Sequence, residues 1–401
     1  MNQILVSGGG VGGLAATLAA TRAGWHVRLF ERTPAFSEVG AGIQLGPNVT
    51  RVLHGWGLAD ALARVAACPP SLQVRSAASG QTLGSLTLGA DMAARYGAPY
   101  LTLHRADLHS LLLGDAVQHV DTQLDMGRAI TGFSQTLQSV TVEASDGMAI
   151  EGDVLVGCDG LWSSVRQQLL GDGPPRATGH LAYRALVLQQ DLPTNLRSQN
   201  VTVWLGVNMH IVQYPVRGSE WLNVVAIVHG SVAGDAENWN QTANTAALLS
   251  QIKSSCAALQ DLFATVPTWG LWSLHDRPPM QGASQHALGR VALLGDAAHP
   301  MRPYLAQGAG MAIEDAADLG HVLKLAKGSV FNADNDMPAL LQRYALNRWQ
   351  RNAQAQARAI RNGKIFHASG PMRWGRDTAL RLLGGKLLDL PWLYGFTTKA
   401  Q

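Results

Sequence analysis

Hydrophobic positions in the first thirty residues follow the pattern of a strand, a helix and a second strand. The apolar run Ile4-Leu5-Val6 precedes a Gly-rich turn, after which small and apolar residues recur at helical spacing. Gly24 is typical of the position just beyond a helix end, and residues 26–30 return as a strand. The pattern predicts a βαβ unit and therefore an α/β protein with a parallel sheet.

Residues 289–316 show a second strand–loop–helix pattern. Residues 291–294 form an apolar strand, Gly295 and Asp296 a turn, and Gly308 and Gly310 open a helix. This arrangement points backbone N–H groups and the positive end of a helix dipole at one place, which suits an anionic ligand. Small residues at Ala306, Gly308, Ala309 and Gly310 let a flat ligand approach the backbone closely. The alternative interpretation is an ordinary βα unit with a Gly-rich turn.

The pattern changes between residues 178 and 278. Short apolar runs at 201–205, 210–214 and 221–228 are separated by turn residues and predict antiparallel strands. We expect these strands to form a separate sheet, to which residues 71–100 contribute further pieces. Beyond residue 316 the pattern is helical, and residues 339–362 are a candidate packing or dimer helix.

Composition and charge narrow the class of protein. The chain has 401 residues, 47% hydrophobic and 15% charged, with 43 glycines, which is typical of a two-domain α/β enzyme. The net charge of +3 is small and dispersed, so we expect no nucleic-acid partner. No signal peptide and no run of 18 apolar residues is seen, which favours a cytoplasmic protein without a membrane span. The cysteines at 68, 158 and 256 lack metal-ligand spacing, and we expect reduced thiols and no metal centre.

The first turn carries a dinucleotide-binding pattern. Gly8, Gly10 and Gly13 form a GxGxxG sequence directly after the first strand. Glu31 ends the second strand 18 residues past Gly13, where a carboxylate can accept hydrogen bonds from ribose hydroxyls, and Arg32 follows it. The motif by itself leaves FAD and NAD open.

Two longer strings resemble motifs of a known family. GDAAHPMRPYLAQGAGMAIEDA, at 295–316, is similar to the second flavin-contacting motif of the FAD-dependent aromatic hydroxylases, or group A flavoprotein monooxygenases. DGLWSSVR, beginning at Asp159, resembles their DGxxSxxR motif. The resemblance implies that Asp296 binds a ribityl or ribose hydroxyl. It also implies that Pro303 and the helix start at Gly308, Ala309 and Gly310 lie against the isoalloxazine ring.

The same resemblance assigns further cofactor residues. It implies that the Gly-rich segment 38–48 passes the flavin, with Gln44 as a contacting side chain, and that Arg105 lies on the pyrophosphate. It links Asp159 both to FAD and to a nicotinamide partner. Because a second GxGxxG is absent, we expect one bound FAD and NADH or NADPH as a transient co-substrate. Without the family, segment 38–48 would be a plain loop and Arg105 a surface charge.

A histidine and a tyrosine in the central sheet are the candidate catalytic residues. His210 and Tyr214 lie four residues apart in a predicted strand and therefore on one face. Hydroxylases of 3-hydroxybenzoate and 6-hydroxynicotinate resemble this chain in carrying a His and a Tyr at this spacing before a Pro-Val or Pro-Leu turn. The resemblance implies that His210 removes the phenolic proton and that Tyr214 orients the substrate. The alternative is a half-buried histidine satisfied within the sheet, and we expect His299 to be structural.

The resemblance implies an FAD-dependent monooxygenase that uses NAD(P)H and O2 to hydroxylate a hydroxylated aromatic acid through a flavin C4a-hydroperoxide. The best matching types are 3-hydroxybenzoate 6-hydroxylase and salicylate hydroxylase. The former are expected to carry Gln or a related polar group near the position of Pro303, whereas this chain has Pro303-Tyr304, which is closer to the salicylate and hydroxynicotinate pattern. The closing WLYG at 392–395 also resembles this subgroup. Alternatives are a hydroxylase of a hydroxypyridine carboxylate, a flavin oxidase or dehydrogenase of another small molecule, and a non-catalytic flavin protein. A homodimer is possible.

The expected fold is an FAD-binding Rossmann-like domain with an inserted antiparallel β-sheet substrate domain and C-terminal helices. We expect the FAD-binding domain to comprise residues 1–70, 101–177 and 279–330. The substrate domain would comprise residues 71–100 and 178–278, and a helical region residues 331–401.

Overall fold

The computed structural model describes residues 2–36, 41–231, 241–242, 245–326 and 333–398, so residues 38–40 of the expected flavin loop lie outside the described residues. The strands are β1 Gln3–Ser7, β2 His26–Glu31, β3 Gly42–Leu45, β4 Ser71–Ser76, β5 Thr82–Thr87, β6 Leu101–His104, β7 Thr122–Met126, β8 Ile130–Gln135, β9 Val140–Ala144, β10 Ala149–Gly152, β11 Val154–Gly157, β12 Arg176–Leu188, β13 Val201–Leu205, β14 Met209–Val216, β15 Trp221–His229, β16 Gln241–Thr242, β17 Gly270–Asp276, β18 Ala287–Leu288 and β19 Val291–Leu293.

The α-helices are α1 Val11–Arg22, α2 Pro47–Gly55, α3 Ala59–Val65, α4 Gly89–Tyr96, α5 Arg105–Ala116, α6 Ser164–Leu170, α7 Thr245–Ile252, α8 Ala257–Thr265, α9 Gly308–Leu325, α10 Ala333–Phe366, α11 Gly370–Leu383, α12 Gly385–Leu388 and α13 Pro391–Tyr394. Among the described helices, none is both long and apolar enough to cross a membrane.

A six-stranded sheet in the order β18-β19-β11-β1-β2-β7 forms the nucleotide-binding half of the fold. Its strands run parallel except for β18, and the residues of β11 are fully buried, as expected for a sheet covered on both faces. Strands β1, β11 and β19 are neighbours, so their carboxyl ends meet at one edge. The segments after these three strands carry Gly8, Asp159 and Asp296, and the sheet therefore brings the three motifs together.

Helices α1 and α9 pack closely beside this sheet because small residues face each other. A Cβ added to Gly320 of α9 would lie 2.9 Å from the Cβ of Ala19 in α1. Helix α1 is the first element after β1, and α9 is the first α-helix after β19. Because β1 and β19 run parallel and end at the motif edge of the sheet, both helices follow strands that end on that side of the fold.

The second large sheet has eight strands in the order β16-β17-β12-β15-β14-β13-β4-β5. It combines β4 and β5, from residues 71–87, with strands from residues 176–276, as expected for a sheet that is discontinuous in sequence. Its pairs are antiparallel except β13 with β4, which is parallel. The sheet is thus mainly antiparallel, with one parallel pair where the chain returns from the nucleotide-binding half and places β13 beside β4.

Part of the expected Gly-rich loop is a strand. Residues Gly42–Leu45 pair antiparallel with Leu101–His104 of β6, and Leu45 is fully buried. The glycines of this segment favoured a loop, but Ile43 and Leu45 both pack in or against the core, which stabilises extended backbone. The short strand carries Gln44 between the two large sheets.

Helix α10 is joined to α9 by buried ion pairs. Arg348 donates to Asp315 at 2.7 Å and to Glu314 at 2.9 Å, and Arg351 donates to Glu314 at 2.6 Å. Asn352 adds a hydrogen bond of 2.8 Å to Asp315. Both carboxylates are fully buried, so each depends on its arginine partners for compensation of its lost hydration.

Asp315 also receives a hydrogen bond from the motif loop. The Nε2 atom of His299 lies 2.5 Å from Asp315, and both side chains are buried. Burial by itself raises the pKa of Asp315, but His299 and Arg348 hold that pKa well below its ordinary value. His299 thus has the structural role expected from its place in the GDAAHP string.

We predict that Arg348→Met strongly destabilises the protein, because it leaves Asp315 and Glu314 as buried carboxylates with one partner fewer. The expected loss in the free energy of unfolding is about 3–5 kcal/mol, measured by urea denaturation of the FAD-bound protein. The matched control is Arg343→Met, which changes an exposed arginine of the same helix and is expected to shift stability by less than about 0.5 kcal/mol. Equal effects of the two substitutions would contradict a stabilising role for the buried pairs.

Candidate active site

The turn after β1 leaves room for a phosphate group. Gly8 has a φ of +102°, and a Cβ at Gly13 would lie 1.8 Å from the carbonyl oxygen of Gly8, so both positions require glycine. Around Gly10, by contrast, no heavy atom of the described residues lies within 4 Å of an added Cβ. Gly10 caps α1 without a side-chain hydrogen bond in the described structure, which leaves the first N–H groups of α1 for a ligand.

Glu31 lies at the end of β2, beside this turn. Its carboxylate accepts a hydrogen bond of 2.8 Å from the backbone N–H of Gly9 and two of 2.9 Å from Thr33. The carboxylate is therefore positioned next to the phosphate turn, where a ribose is expected. Arg32 follows it and is exposed.

The DGLWSSVR segment is attached to the GDAAHP segment. Asp159 accepts hydrogen bonds from Ser163 at 2.5 Å and from the backbone of Val165 at 3.2 Å, which orders the start of α6. Arg166 donates to the carbonyl oxygens of Ala297 at 2.9 Å and Ala298 at 2.7 Å. The two motifs thus form one connected wall.

A cavity of about 140 Å³ lies between this wall and β17. Trp162, Trp272, His275, Asp296 and Pro303 are among the residues that line it. Asp296 is exposed toward this cavity, and the protein around it raises the pKa of its carboxyl by desolvation, while His299 and Arg105 oppose that shift. Arg105 therefore lies close enough to influence the carboxyl of Asp296.

The loop before α9 offers a flat surface of small residues. Ala306 has a φ of +53°, in the left-handed region that non-glycine residues avoid at a cost of about 1 kcal/mol or more. A Cβ at Gly308 would lie 3.9 Å from a carboxylate oxygen of Asp296, and Gln307 caps α9 without a side-chain hydrogen bond in the described structure. Ala309 and Gly310 complete the helix start. Its free N–H groups suit the polar edge of a flavin ring, so the residues present fit FAD.

Strand β3 connects this surface to the second sheet. The backbone N–H of Gly42 donates to Asn223 of β15 at 2.7 Å, and a Cβ at Gly42 would lie 2.5 Å from the ring of Tyr214. Gln44 accepts a hydrogen bond of 2.7 Å from Tyr100. Burial raises the pKa of Tyr214, so its hydroxyl stays protonated and able to donate.

His210 is fully buried on the face of β14 that meets the GDAAHP segment. Its Nδ1 atom is 2.8 Å from Nε2 of His367, and its ring lies 5.0 Å from the ring of Tyr304 and 5.2 Å from that of Phe366. Its Nε2 atom is buried and makes no hydrogen bond to any described residue. Burial first, and then the neighbouring His367 and His180, lower the pKa of His210 well below its ordinary value, so the imidazole is neutral.

The structure brings some predicted residues together and separates others. The two candidate catalytic residues share one face of β14, but Tyr214 packs with Tyr100 and Met311, whereas His210 contacts Tyr304 and His367. Tyr304 could have been found from the sequence, because it directly follows the motif proline. His367 could not, because it is 157 residues from His210 and carries no motif.

Comparisons with known proteins cover nearly the whole chain. The family model described as FAD binding domain matches residues 1–359. A 3-hydroxybenzoate 6-hydroxylase of Polaromonas naphthalenivorans is 36% identical over 98% of this chain and 96% of its own length. A 6-hydroxynicotinate 3-monooxygenase of Bordetella bronchiseptica is 33% identical over 88% and 89%. The solved structure of a salicylate hydroxylase substrate complex superposes with a TM-score of 0.82, at 25% identity over 98% and 95%.

We predict that Asp296→Ala weakens FAD binding. The substitution removes a charged hydrogen-bond acceptor worth about 1.5–3 kcal/mol, which corresponds to a roughly 10- to 100-fold higher dissociation constant. Titration of deflavinated protein with FAD, followed by fluorescence quenching, measures this change. Asp261→Ala, an exposed aspartate of α8, is the control and is expected to bind FAD like the unmodified chain. Unchanged affinity in Asp296→Ala would remove this residue from the flavin site.

Proposed function

This chain belongs to the FAD-dependent aromatic hydroxylases, and we propose that it hydroxylates a ring carrying a hydroxyl and a carboxylate group, with 3-hydroxybenzoate as the first candidate. The chain is accordingly an FAD-dependent aromatic-ring monooxygenase, and NAD(P)H is the co-substrate typical of this class. The substrate proposal is supported by the names of the two relatives, since both 3-hydroxybenzoate and 6-hydroxynicotinate combine these two groups on one ring.

The observation that carries the proposal is the buried, unpartnered Nε2 atom of His210. When Nδ1–H of His210 donates to Nε2 of His367, the lone pair at Nε2 of His210 is free to accept a proton. An unsatisfied buried nitrogen costs free energy unless a partner arrives, and the hydroxyl of a phenolic substrate is such a partner. We assign His210 the role of base that removes the phenolic proton.

Removal of this proton is expected to increase the rate of hydroxylation strongly. A phenol with a pKa of about 10 is only about 1% ionised near pH 8, so a positioned base can raise the reactive fraction roughly 100-fold. The lowered pKa keeps the imidazole of His210 neutral throughout the neutral range, although the same shift makes it a weaker base until an anionic partner lies beside it. The imidazolium that forms lies beside the phenolate it has produced, and this ion pair offsets the cost of a buried charge.

The other residues of the site bind, orient and exclude water. Bound FAD supplies the activation of oxygen, and the N-terminus of α9 stabilises negative charge on its ring. Tyr304 and Phe366 pack around the imidazole of His210 and exclude water from it. Tyr214 donates its hydroxyl to the substrate oxygen or carboxylate in this proposal.

A hydroxypyridine carboxylate is the second candidate substrate. It is favoured by the Pro303-Tyr304 pair, which departs from the Gln expected in 3-hydroxybenzoate 6-hydroxylases, and by the 33% identity to the 6-hydroxynicotinate enzyme. The two candidates share the same deprotonation by His210, so the ring itself has to be tested.

A substrate panel distinguishes the candidates. The FAD-bound protein is mixed with NADH, O2 and 3-hydroxybenzoate, salicylate or 6-hydroxynicotinate, and the product mass and hydrogen peroxide are measured. We expect 3-hydroxybenzoate to stimulate NADH oxidation most and to gain one oxygen atom. Hydroxylation of 6-hydroxynicotinate alone would establish the second candidate. NADH oxidation that yields only hydrogen peroxide with every ring would contradict the proposed function.

We predict that His210→Ala retains FAD and still oxidises NADH, since neither step uses the base, but hydroxylates about 10²-fold more slowly. The oxygen consumed should then appear as hydrogen peroxide. Product formation and peroxide are measured together for the best substrate of the panel.

Tyr214→Phe is the comparison for this prediction. It removes one hydrogen bond worth about 0.5–1.5 kcal/mol and is expected to reduce hydroxylation by only about 2- to 12-fold. Near-normal hydroxylation and coupling in His210→Ala would show that His210 is a satisfied core residue and that the base lies elsewhere.

A further inference from the structure

Three histidines meet at the outer end of the buried His210 site. His180 of β12 and His229 of β15 are directly opposite each other in register, and their rings stack with centroids 4.6 Å apart. His367, just beyond the end of α10, reaches the same place, with its Nδ1 atom 3.0 Å from Nε2 of His229. One ring nitrogen from each of the three lies within 4.8 Å of the others.

These separations fit a metal ion bound by imidazoles. Metal–nitrogen bonds of about 2.0–2.1 Å at angles near 90–110° place two ligand nitrogens about 2.9–3.4 Å apart. The 3.0 Å between His229 and His367 already falls in this range, and the ring nitrogen of His180, which lies within 4.8 Å of the other two, needs a shift of at most about 2 Å to join them. Neutral imidazole is a ligand suited to divalent zinc, nickel and copper.

The second ring nitrogens of two of these histidines already have partners. Nδ1 of His180 is hydrogen-bonded to the hydroxyl of Tyr304, and Nε2 of His367 is 2.8 Å from Nδ1 of His210. Metal-bound histidines characteristically donate their other N–H to such an acceptor, which sets the ring orientation. His229 is exposed, so an ion can reach the cluster from solvent.

We propose that His180, His229 and His367 form a binding site for a divalent transition-metal ion, and that the bound ion inhibits hydroxylation by changing the tautomer of His210. The site itself stands on the geometry of the three histidines. Its inhibitory effect rests on the proposed function, because it acts through His210.

The coupling between the ion and His210 follows from the hydrogen bond between His210 and His367. An ion on Nδ1 of His367 requires the proton of that neutral ring to be on Nε2. That N–H then donates to Nδ1 of His210, whose own proton must move to Nε2. With Nε2 protonated, neutral His210 has no lone pair for a phenolic proton. Each imidazole remains neutral, since one proton is released to solvent at His367 and one is taken up at His210.

Isothermal titration of the FAD-bound, chelator-treated protein with Ni²⁺ tests the site. We expect one ion per chain, and affinity at least about 10-fold weaker in His180→Gln and in His229→Gln. The control is His119→Gln, a partly exposed histidine near the opposite, nucleotide-binding sheet, which should bind like the unmodified chain. Retained FAD absorbance and an unchanged melting temperature show that each variant is folded. Binding that is absent, or equal in all four proteins, would overturn the metal site.

The second measurement tests the coupling to His210. Saturating Ni²⁺ is expected to reduce hydroxylation of the best substrate about 10-fold or more, without slowing the reduction of the flavin by NADH. In His229→Gln, Ni²⁺ is expected to change the hydroxylation rate little from the rate that this variant has without metal. Stoichiometric binding with unchanged hydroxylation would overturn the tautomer coupling. Failure of the proposed function is distinguishable, because the metal-free protein would then hydroxylate no ring while the titration with Ni²⁺ is unaffected.

Discussion

The buried ion pairs between α9 and α10 are the constraint on which the arrangement of the active site depends. Glu314 and Asp315 lie in the second turn of α9, close behind the helix start that faces the flavin position. Because both carboxylates are fully buried, α10 must supply Arg348 and Arg351 at the correct distance, and the register between the two helices is thereby set. The same arginines hold the C-terminal segment, since Arg351 also donates to the carbonyl oxygens of Trp392 and Leu393.

This register has a consequence at the far end of α10. The helix runs from the nucleotide-binding half to the eight-stranded sheet, where Asn362 donates to the carbonyl oxygen of Tyr304 and Gly363 allows the tyrosine ring to approach its backbone. His367 then lies against His210. One helix therefore connects the start of α9, the motif tyrosine and the candidate base, and it fixes the position of His210 relative to the nucleotide-binding half of the fold.

Glycines that are required by the local backbone are visible in the sequence. Gly13 is required because an added Cβ would lie 1.8 Å from the carbonyl oxygen of Gly8, and Gly8 has a φ of +102°, so both appear in the GxGxxG pattern. Gly42 is different, because a side chain at this position would clash with the ring of Tyr214, which lies on a strand distant in sequence. The roles of Asp296, His210 and Tyr214 remain predictions.

The sequence by itself determined the class of the protein, the parallel sheet and the strand–turn–helix motifs. It also placed His210 and Tyr214 on one strand face. All of these depend on residue types and their spacing within short segments. The tertiary structure decided which groups meet: β13 beside β4, the strand at Gly42–Leu45, and the imidazoles of His180, His210, His229 and His367 around Tyr304. Hydrogen bonds between side chains more than a hundred residues apart leave no periodic trace in the sequence. Their partners are specified only when buried polar groups have to be satisfied in the packed fold.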